Sequence, residues 1–158
     1  MLVAARTLRV NPAFLQEIKE DNVELREMLE ALAGELITRR PRMHDPRRLF
    51  EMLSRLRDQL GIHFALEEAF GYFEDALDVA PRLSETTEEL RAEHDLFFRD
   101  ICRLCDFVEQ VIYDEKPSHS VRQVATRFSA FHDAFQQHEA RERELIMDAF
   151  DDDIGVGD

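Results

Sequence analysis

Five residues of metal-binding type occur at positions where a helical core would normally carry aliphatic side chains: His63, Glu67, His94, His138 and Glu142. His63 and Glu67 are four residues apart, as are His138 and Glu142, so each pair lies on one helix face, one turn apart. Imidazole and carboxylate together are ligands of iron, manganese and zinc. This spacing would let one helix supply both ligands to one metal ion, or let its carboxylate bridge to a second ion.

The apolar residues around them alternate three- and four-residue steps, which is typical of helices that pack through one buried seam. The three seams that contain these five residues are Leu49, Leu53, Leu56, Leu60, His63, Glu67, Phe70 and Leu77; Leu90, His94, Phe97, Ile101, Leu104, Val108 and Val111; and Val124, Phe128, Phe131, Phe135, His138, Glu142, Leu145 and Ala149. An isolated charge in a seam would be very costly. These carboxylates must therefore be paired, hydrogen-bonded or bound to metal.

The pattern predicts four helices, at about residues 12–38, 46–79, 84–114 and 119–150. Asn11–Pro12 and Asp45–Pro46 each place an N-cap acceptor before a proline at the first helical position. The connections are about four to seven residues long, so consecutive helices should be antiparallel neighbours. The expected fold is all-α, an up-down-up-down antiparallel four-helix bundle.

The composition agrees with a single helical domain. The chain has 158 residues, of which 44% are hydrophobic, and five glycines and five prolines are too few for a turn-rich all-β fold. We expect the bundle to occupy residues 12–150, with an N-terminal extension at 1–11 and an acidic flexible tail at 151–158.

The net charge and the distribution of apolar residues indicate which partners and which cellular compartment to expect. A net charge of −14 would repel nucleic-acid phosphates and anionic lipids. No apolar run reaches the roughly 18 residues of a membrane span, and Arg6 and Arg9 interrupt the N-terminal stretch where a signal peptide would be apolar. Cys102 and Cys105 are too few for a disulfide framework and suit packing. We expect a cytoplasmic protein without nucleic-acid or membrane partners.

The five residues should meet at one level of the bundle. At about 1.5 Å of rise per residue, all of them fall in a band about 15 to 18 Å from one end. Asn22, the polar member of the first helix's seam, falls in the same band. Such a layer predicts a metal site; the alternative is a metal-free hydrogen-bonded network in which a glutamate is protonated.

The pattern resembles the hemerythrin-like HHE cation-binding domain over about residues 12–150. The matching motifs are His63-Phe-Ala-Leu-Glu67, Glu93-His94-Asp95 and His138-Glu-Ala-Arg-Glu142. The resemblance implies a four-helix bundle with a non-haem di-iron site. It further implies that the three histidines of these motifs are terminal ligands and that Glu67 and Glu142 bridge two ions.

Two positions depart from this family pattern. Asn22 stands where the first helix usually supplies a histidine, and it is expected to be a weak ligand or a neighbour of the ligands. Phe98 stands where oxygen-carrying hemerythrins have a second histidine on the third helix, which disfavours reversible oxygen carriage. Glu68, Glu93 and Glu139 flank the ligands and could supplement coordination, although acidic runs usually form solvated faces.

The expected function is non-haem metal binding, with one or two iron ions and with zinc or manganese as alternatives. The role would be in sensing of O2, NO or iron, in storage, or in redox response. The pattern favours a non-enzymatic protein, and a homodimer is one possible assembly. Two alternatives remain: a di-metal oxidase or peroxidase-like enzyme, and a metal-free bundle that serves as an interaction module.

Overall fold

The apolar seams of the sequence form the core of a bundle of four helices. The computed structural model describes the backbone of residues 12–38, 45–69, 80–113 and 117–156 and, within these, the side chains of residues 22–38, 45–68, 80–113 and 121–149. The helices are α1 (Pro12–Ala33), α2 (Pro46–Ala69), α3 (Ser84–Ile112) and α4 (Pro117–Val156). A π-helical turn, Gly34–Thr38, follows α1, and a 3-10 turn, Pro81–Leu83, precedes α3. The described residues contain no strand.

Each helix packs against its neighbours along the chain, and α4 closes the bundle against α1 and the π-helical turn. This arrangement confirms the predicted all-α four-helix bundle. None of the described helices combines the length and the apolar composition that crossing a membrane requires.

The helix boundaries follow local chemistry. At the start of α2, the Asp45 carboxylate accepts a hydrogen bond from the Arg47 N–H at 3.0 Å, as an N-cap does. The first helix changes to π geometry at Gly34, where the low helix propensity of glycine weakens the α-helix. The predicted part of the second helix from 70 to 79 lies outside the described residues.

The last helix is longer than the sequence predicted. It begins at Pro117 and continues to Val156, past the predicted end at residue 150. Between these ends no proline follows Pro117 and no glycine precedes Gly155, so no residue interrupts the helix earlier. The side chains beyond Ala149 are not among those described, and the flexibility of the acidic tail stays a prediction.

The core consists of two apolar clusters separated by a polar layer. The larger cluster includes the fully buried Leu53, Leu60 and Phe128, and the smaller one is built around Leu90 and Leu145. Burial of each side chain of this size adds about 1.5–3 kcal/mol to the free energy of unfolding. The polar layer comprises His63, Glu67, His94, His138 and Glu142. Along α3 and α4 it lies between residues of the two clusters, and along α2 it lies at the end of the larger cluster.

Candidate metal centre

All five residues of the polar layer are buried in the bundle. Their exposed fractions lie between 1% and 5%, and the most exposed of them is Glu67. The pair on α2 meets the pair on α4, and His94 of α3 lies against both glutamates. The structure therefore brings together all five of these residues, although metal binding by them stays a prediction.

One ligand group, called the first group, comprises Glu67, His94, His138 and Glu142. Each residue offers one atom, and these atoms all lie within 4.8 Å of one another. Glu142 Oε1 is 2.7 Å from His138 Nε2 and 3.0 Å from His94 Nε2, while Glu67 Oε2 is 3.2 Å from His94 Nε2. Two imidazoles and two carboxylates thus converge on one small volume.

Two atoms of the first group are buried and make no hydrogen bond in the described part of the chain. They are Glu67 Oε2 and His138 Nε2. His138 Nε2 is close to Glu142 Oε1, but their relative orientation does not suit a hydrogen bond. A buried polar atom without a partner costs free energy. A metal ion would accept a lone pair from both atoms, so these residues fit a bound metal.

A second ligand group comprises His63, Glu67, Glu139 and Glu142, whose ligand atoms also lie within 4.8 Å of one another. His63 Nε2 is 2.7 Å from Glu67 Oε1 and 3.1 Å from Glu139 Oε1. The two groups share Glu67 and Glu142, the carboxylates that the resemblance implies as bridging ligands. The layer therefore contains two overlapping groups, each with four side chains.

Sequence reasoning gave Glu139 only as a flanking acid. A signal was available, because Glu139 precedes Glu142 by three residues and so shares a helix face with it. Its side chain is 28% exposed, which places it at the edge of the layer.

The other two flanking acids lie on the far sides of the imidazoles. Glu93 Oε2 is 2.6 Å from His138 Nδ1, and Glu68 Oε1 is 3.1 Å from His94 Nδ1. Arg141 in turn forms ion pairs with Glu93 and Glu89. A carboxylate at Nδ1 fixes the ring orientation and makes Nε2 a better metal ligand. Glu68 and Glu93 therefore orient ligands in this structure, where the sequence suggested added coordination.

Phenylalanine rings hold the imidazoles from the side of the larger apolar cluster. Phe64 stacks on His94 with ring centroids 4.3 Å apart and an angle of 15° between the planes. Phe97 lies 5.1 Å from the His138 ring, and Phe135 lies 6.2 Å from His138 and 6.3 Å from His63. These contacts restrict the side-chain rotation of all three histidines.

Charged partners oppose the effect of burial on the pKa values of Glu67, His94 and His138. Burial alone would raise the pKa of Glu67, but the neighbouring His63 and His94 outweigh it and lower this pKa below its ordinary value. Burial alone would also lower the pKa of His94, but Glu142 and Glu67 raise it to about 10. Burial alone would likewise lower the pKa of His138, but Glu142 and Glu93 raise it above its ordinary value. These shifts favour the ionised form of Glu67 and the protonated forms of His94 and His138.

A cavity of about 550 Å³ opens between α1 and α4 and reaches the second group. The walls are formed by Asn22, Leu25, Arg26, Leu29, Glu30, Glu67, His132, Phe135, Gln136, Glu139, Glu142 and Arg143. Asn22 is half-buried on the α1 side. The cavity gives small molecules a route from solvent to the polar layer.

The comparisons with known proteins identify the family. The family model described as the hemerythrin HHE cation binding domain matches residues 13–114, which is more than half of the chain. The chain belongs to this family. The match includes His63, Glu67 and His94, whereas α4 lies beyond it, so the placement of His138 and Glu142 depends on the geometry described above. Searches of curated proteins and of solved structures gave no significant match.

Proposed function

We propose that this hemerythrin-family protein binds one or two non-haem iron ions in the polar layer and acts in the sensing of O2, NO or iron, in iron storage, or in redox response. One observation carries the proposal: three imidazole Nε2 atoms and two carboxylates converge in a buried layer of a chain whose family is described as cation-binding.

The chemistry of the ligands is compatible with iron as the metal. Nitrogen and oxygen ligands without thiolate suit iron, manganese and zinc, and they argue against a structural zinc site of the cysteine-rich type. Glu67 and Glu142 would offset two positive charges of the metal centre. When bound, iron would supply the capacity to change oxidation state and to bind a diatomic ligand.

The cavity supports a role that involves a small external ligand. Structural metal sites are closed, whereas sites that react with a ligand keep an open position. Here the second group is accessible from the cavity, whose walls include Asn22 and Glu139. O2 and NO are small enough to enter a cavity of this volume, so sensing or redox response is favoured over a purely structural metal.

The cavity also supports a second candidate, a di-metal oxidase or peroxidase-like enzyme, because a peroxide would reach the same position. Turnover of hydrogen peroxide by the iron-loaded protein, compared with an equal concentration of free iron, separates the two. Turnover well above that of free iron would favour the enzyme, and equal turnover would exclude it.

Metal analysis tests the main proposal. Protein purified from iron-supplemented cells should contain at least one iron ion per chain, and a double variant, Glu67→Gln with Glu142→Gln, should lose it because both groups share these two carboxylates. His132→Ala is the matched control, since this histidine lines the cavity but belongs to neither group. Its metal content should equal that of the wild type. Iron, zinc and manganese all far below one ion per chain in the wild type would contradict the proposal.

Exposure to NO tests the sensing role. The iron-loaded protein should change its visible absorption when NO is added under anaerobic conditions, and the zinc-loaded protein should not. Identical spectra before and after NO would remove NO sensing and leave sensing of O2 or iron, storage or redox response.

A further inference from the structure

We infer that Glu139 takes the place of the missing first-helix histidine as a metal ligand, so that α2, α3 and α4 hold two ions without a ligand from α1. The inference rests on the proposed function. It concerns only the second group and leaves the first group unchanged.

The position of Glu139 is the first argument. Its carboxylate lies within 4.8 Å of the ligand atoms of His63, Glu67 and Glu142. It reaches this place from α4, three residues before Glu142, while its partner His63 comes from α2. Two helices that already supply the shared glutamates therefore also supply the two further members of the second group.

The hydrogen-bonding capacity of His63 is the second argument. Its Nε2 carries at most one hydrogen, yet two carboxylate oxygens approach it, Glu67 Oε1 at 2.7 Å and Glu139 Oε1 at 3.1 Å. A single N–H cannot satisfy both acceptors with good geometry. A cation in the second group would bind the imidazole nitrogen and both oxygens at once.

The opposite wall of the cavity is the third argument. Asn22 of α1 and Glu139 of α4 line the same cavity, which also exposes Glu67 and Glu142. An amide oxygen on α1 brings no charge to an ion there, whereas the carboxylate on α4 does. The ligand that α1 lacks is thus replaced from across the cavity, and α1 forms its wall.

This assignment makes the two metal positions chemically unequal. The first group has two imidazoles and two carboxylates, and the second has one imidazole and three carboxylates. Carboxylate oxygen is a harder ligand than imidazole and suits manganese and ferric iron better. The second position should therefore prefer harder ions, and it should exchange more readily because it faces the cavity.

Equilibrium dialysis of the metal-free protein against Fe²⁺ under anaerobic conditions tests the inference. Wild-type protein should bind two ions per chain. Glu139→Gln, which keeps the shape and removes the charge, should retain one ion and bind the second at least tenfold more weakly. Glu144→Gln is the matched control, because Glu144 is exposed on the same helix and outside both groups, and it should bind two ions. Circular dichroism confirms that each variant is folded.

A rescue variant separates ligation from a general charge effect. Asn22→His in the Glu139→Gln background should restore the second ion, because it returns an imidazole to the same cavity. Two ions bound with unchanged affinity by Glu139→Gln alone would overturn the inference. A wild type that binds one ion would also overturn it and leave the proposed function intact, whereas a wild type that binds none would contradict the proposed function itself.

Discussion

Removal of bound metal should lower the melting temperature by several degrees. The polar layer joins three helices, since His63 lies on α2, His94 on α3 and His138 on α4. An ion bound to these residues links the helices only in the folded state. It therefore raises the free energy of unfolding by RT ln(1 + [L]/Kd), where [L] is the free metal concentration.

The size of the effect follows from this relation. With free metal at about 100 times Kd, the added free energy of unfolding is about 2.7 kcal/mol. For a chain of this length, each kcal/mol shifts the melting temperature by about 2–4 °C, so the expected difference is about 5–11 °C. Each further tenfold increase in free metal should add about 1.4 kcal/mol, or about 3–6 °C.

Thermal denaturation followed by far-UV circular dichroism measures this difference. The chelated protein is compared with protein equilibrated at stepwise increasing free Fe²⁺ under anaerobic conditions. A double variant, Glu67→Gln with Glu142→Gln, should melt at one temperature whatever the metal concentration, because it lacks the two carboxylates that both groups share. A wild-type melting temperature that does not respond to chelator or metal would refute the reasoning and favour the metal-free interaction module.

Three further predictions follow from the contacts of the imidazoles and the thiols. Glu93→Gln should weaken metal binding about 10–100-fold without changing the number of ions per chain, because it loosens the orientation of His138. Isothermal titration calorimetry measures the Kd and the number of ions, and an unchanged Kd would contradict an orienting role. Metal affinity should rise with pH between 6 and 8, since the pKa of His94 is raised to about 10 and its proton must leave when an ion binds. Kd values measured across this range should fall by about tenfold per pH unit for each proton released. A Kd that does not change with pH would contradict the assignment of His94 as a ligand. Cys105 should resist alkylation in the folded protein, because burial raises its pKa to about 11, so that only about one molecule in a thousand carries the thiolate at pH 8. Mass spectrometry after iodoacetamide treatment should find the label on the more exposed Cys102. Equal labelling of both cysteines would contradict this prediction.

The sequence predicted the bundle and the polar layer because buried residues recur at regular three- and four-residue steps along a helix. His63 and His138 interrupt apolar seams, and the seam spacing placed them in the interior, where the structure finds them 2% and 1% exposed. Counting residues from helix ends was sufficient to bring the residues of the layer together. The depth of a residue in a bundle depends mainly on helix geometry, which varies little.

The sequence could not separate the roles of Glu68, Glu93 and Glu139. All three are acids next to a ligand, and their spacing alone does not distinguish a solvated carboxylate from one that faces the layer. Glu93 reaches the Nδ1 side of His138, whereas Glu139 reaches the Nε2 side of His63. The difference depends on side-chain rotamers and on the width of the gap between α1 and α4, neither of which has a periodic signature.

The end of α4 escaped prediction for a related reason. The tail from Asp151 onward is acidic and ends in Gly-Val-Gly-Asp, so the sequence indicated an end of the helix at residue 150 and a frayed tail. The helix nevertheless continues to Val156. Local propensity is a weak guide where no glycine or proline interrupts a long helix.

The phenylalanine rings around the imidazoles determine when the ligands lose their conformational freedom. Because Phe64 stacks on His94 and Phe135 lies beside both His63 and His138, packing in the folded bundle fixes the three imidazole rings without help from an ion. The entropy of ordering them is then part of the folding free energy and does not subtract from the binding free energy of the ion. Every metal therefore meets the same prearranged ligands, and the choice among metals is left to ion size, preferred geometry and cellular supply.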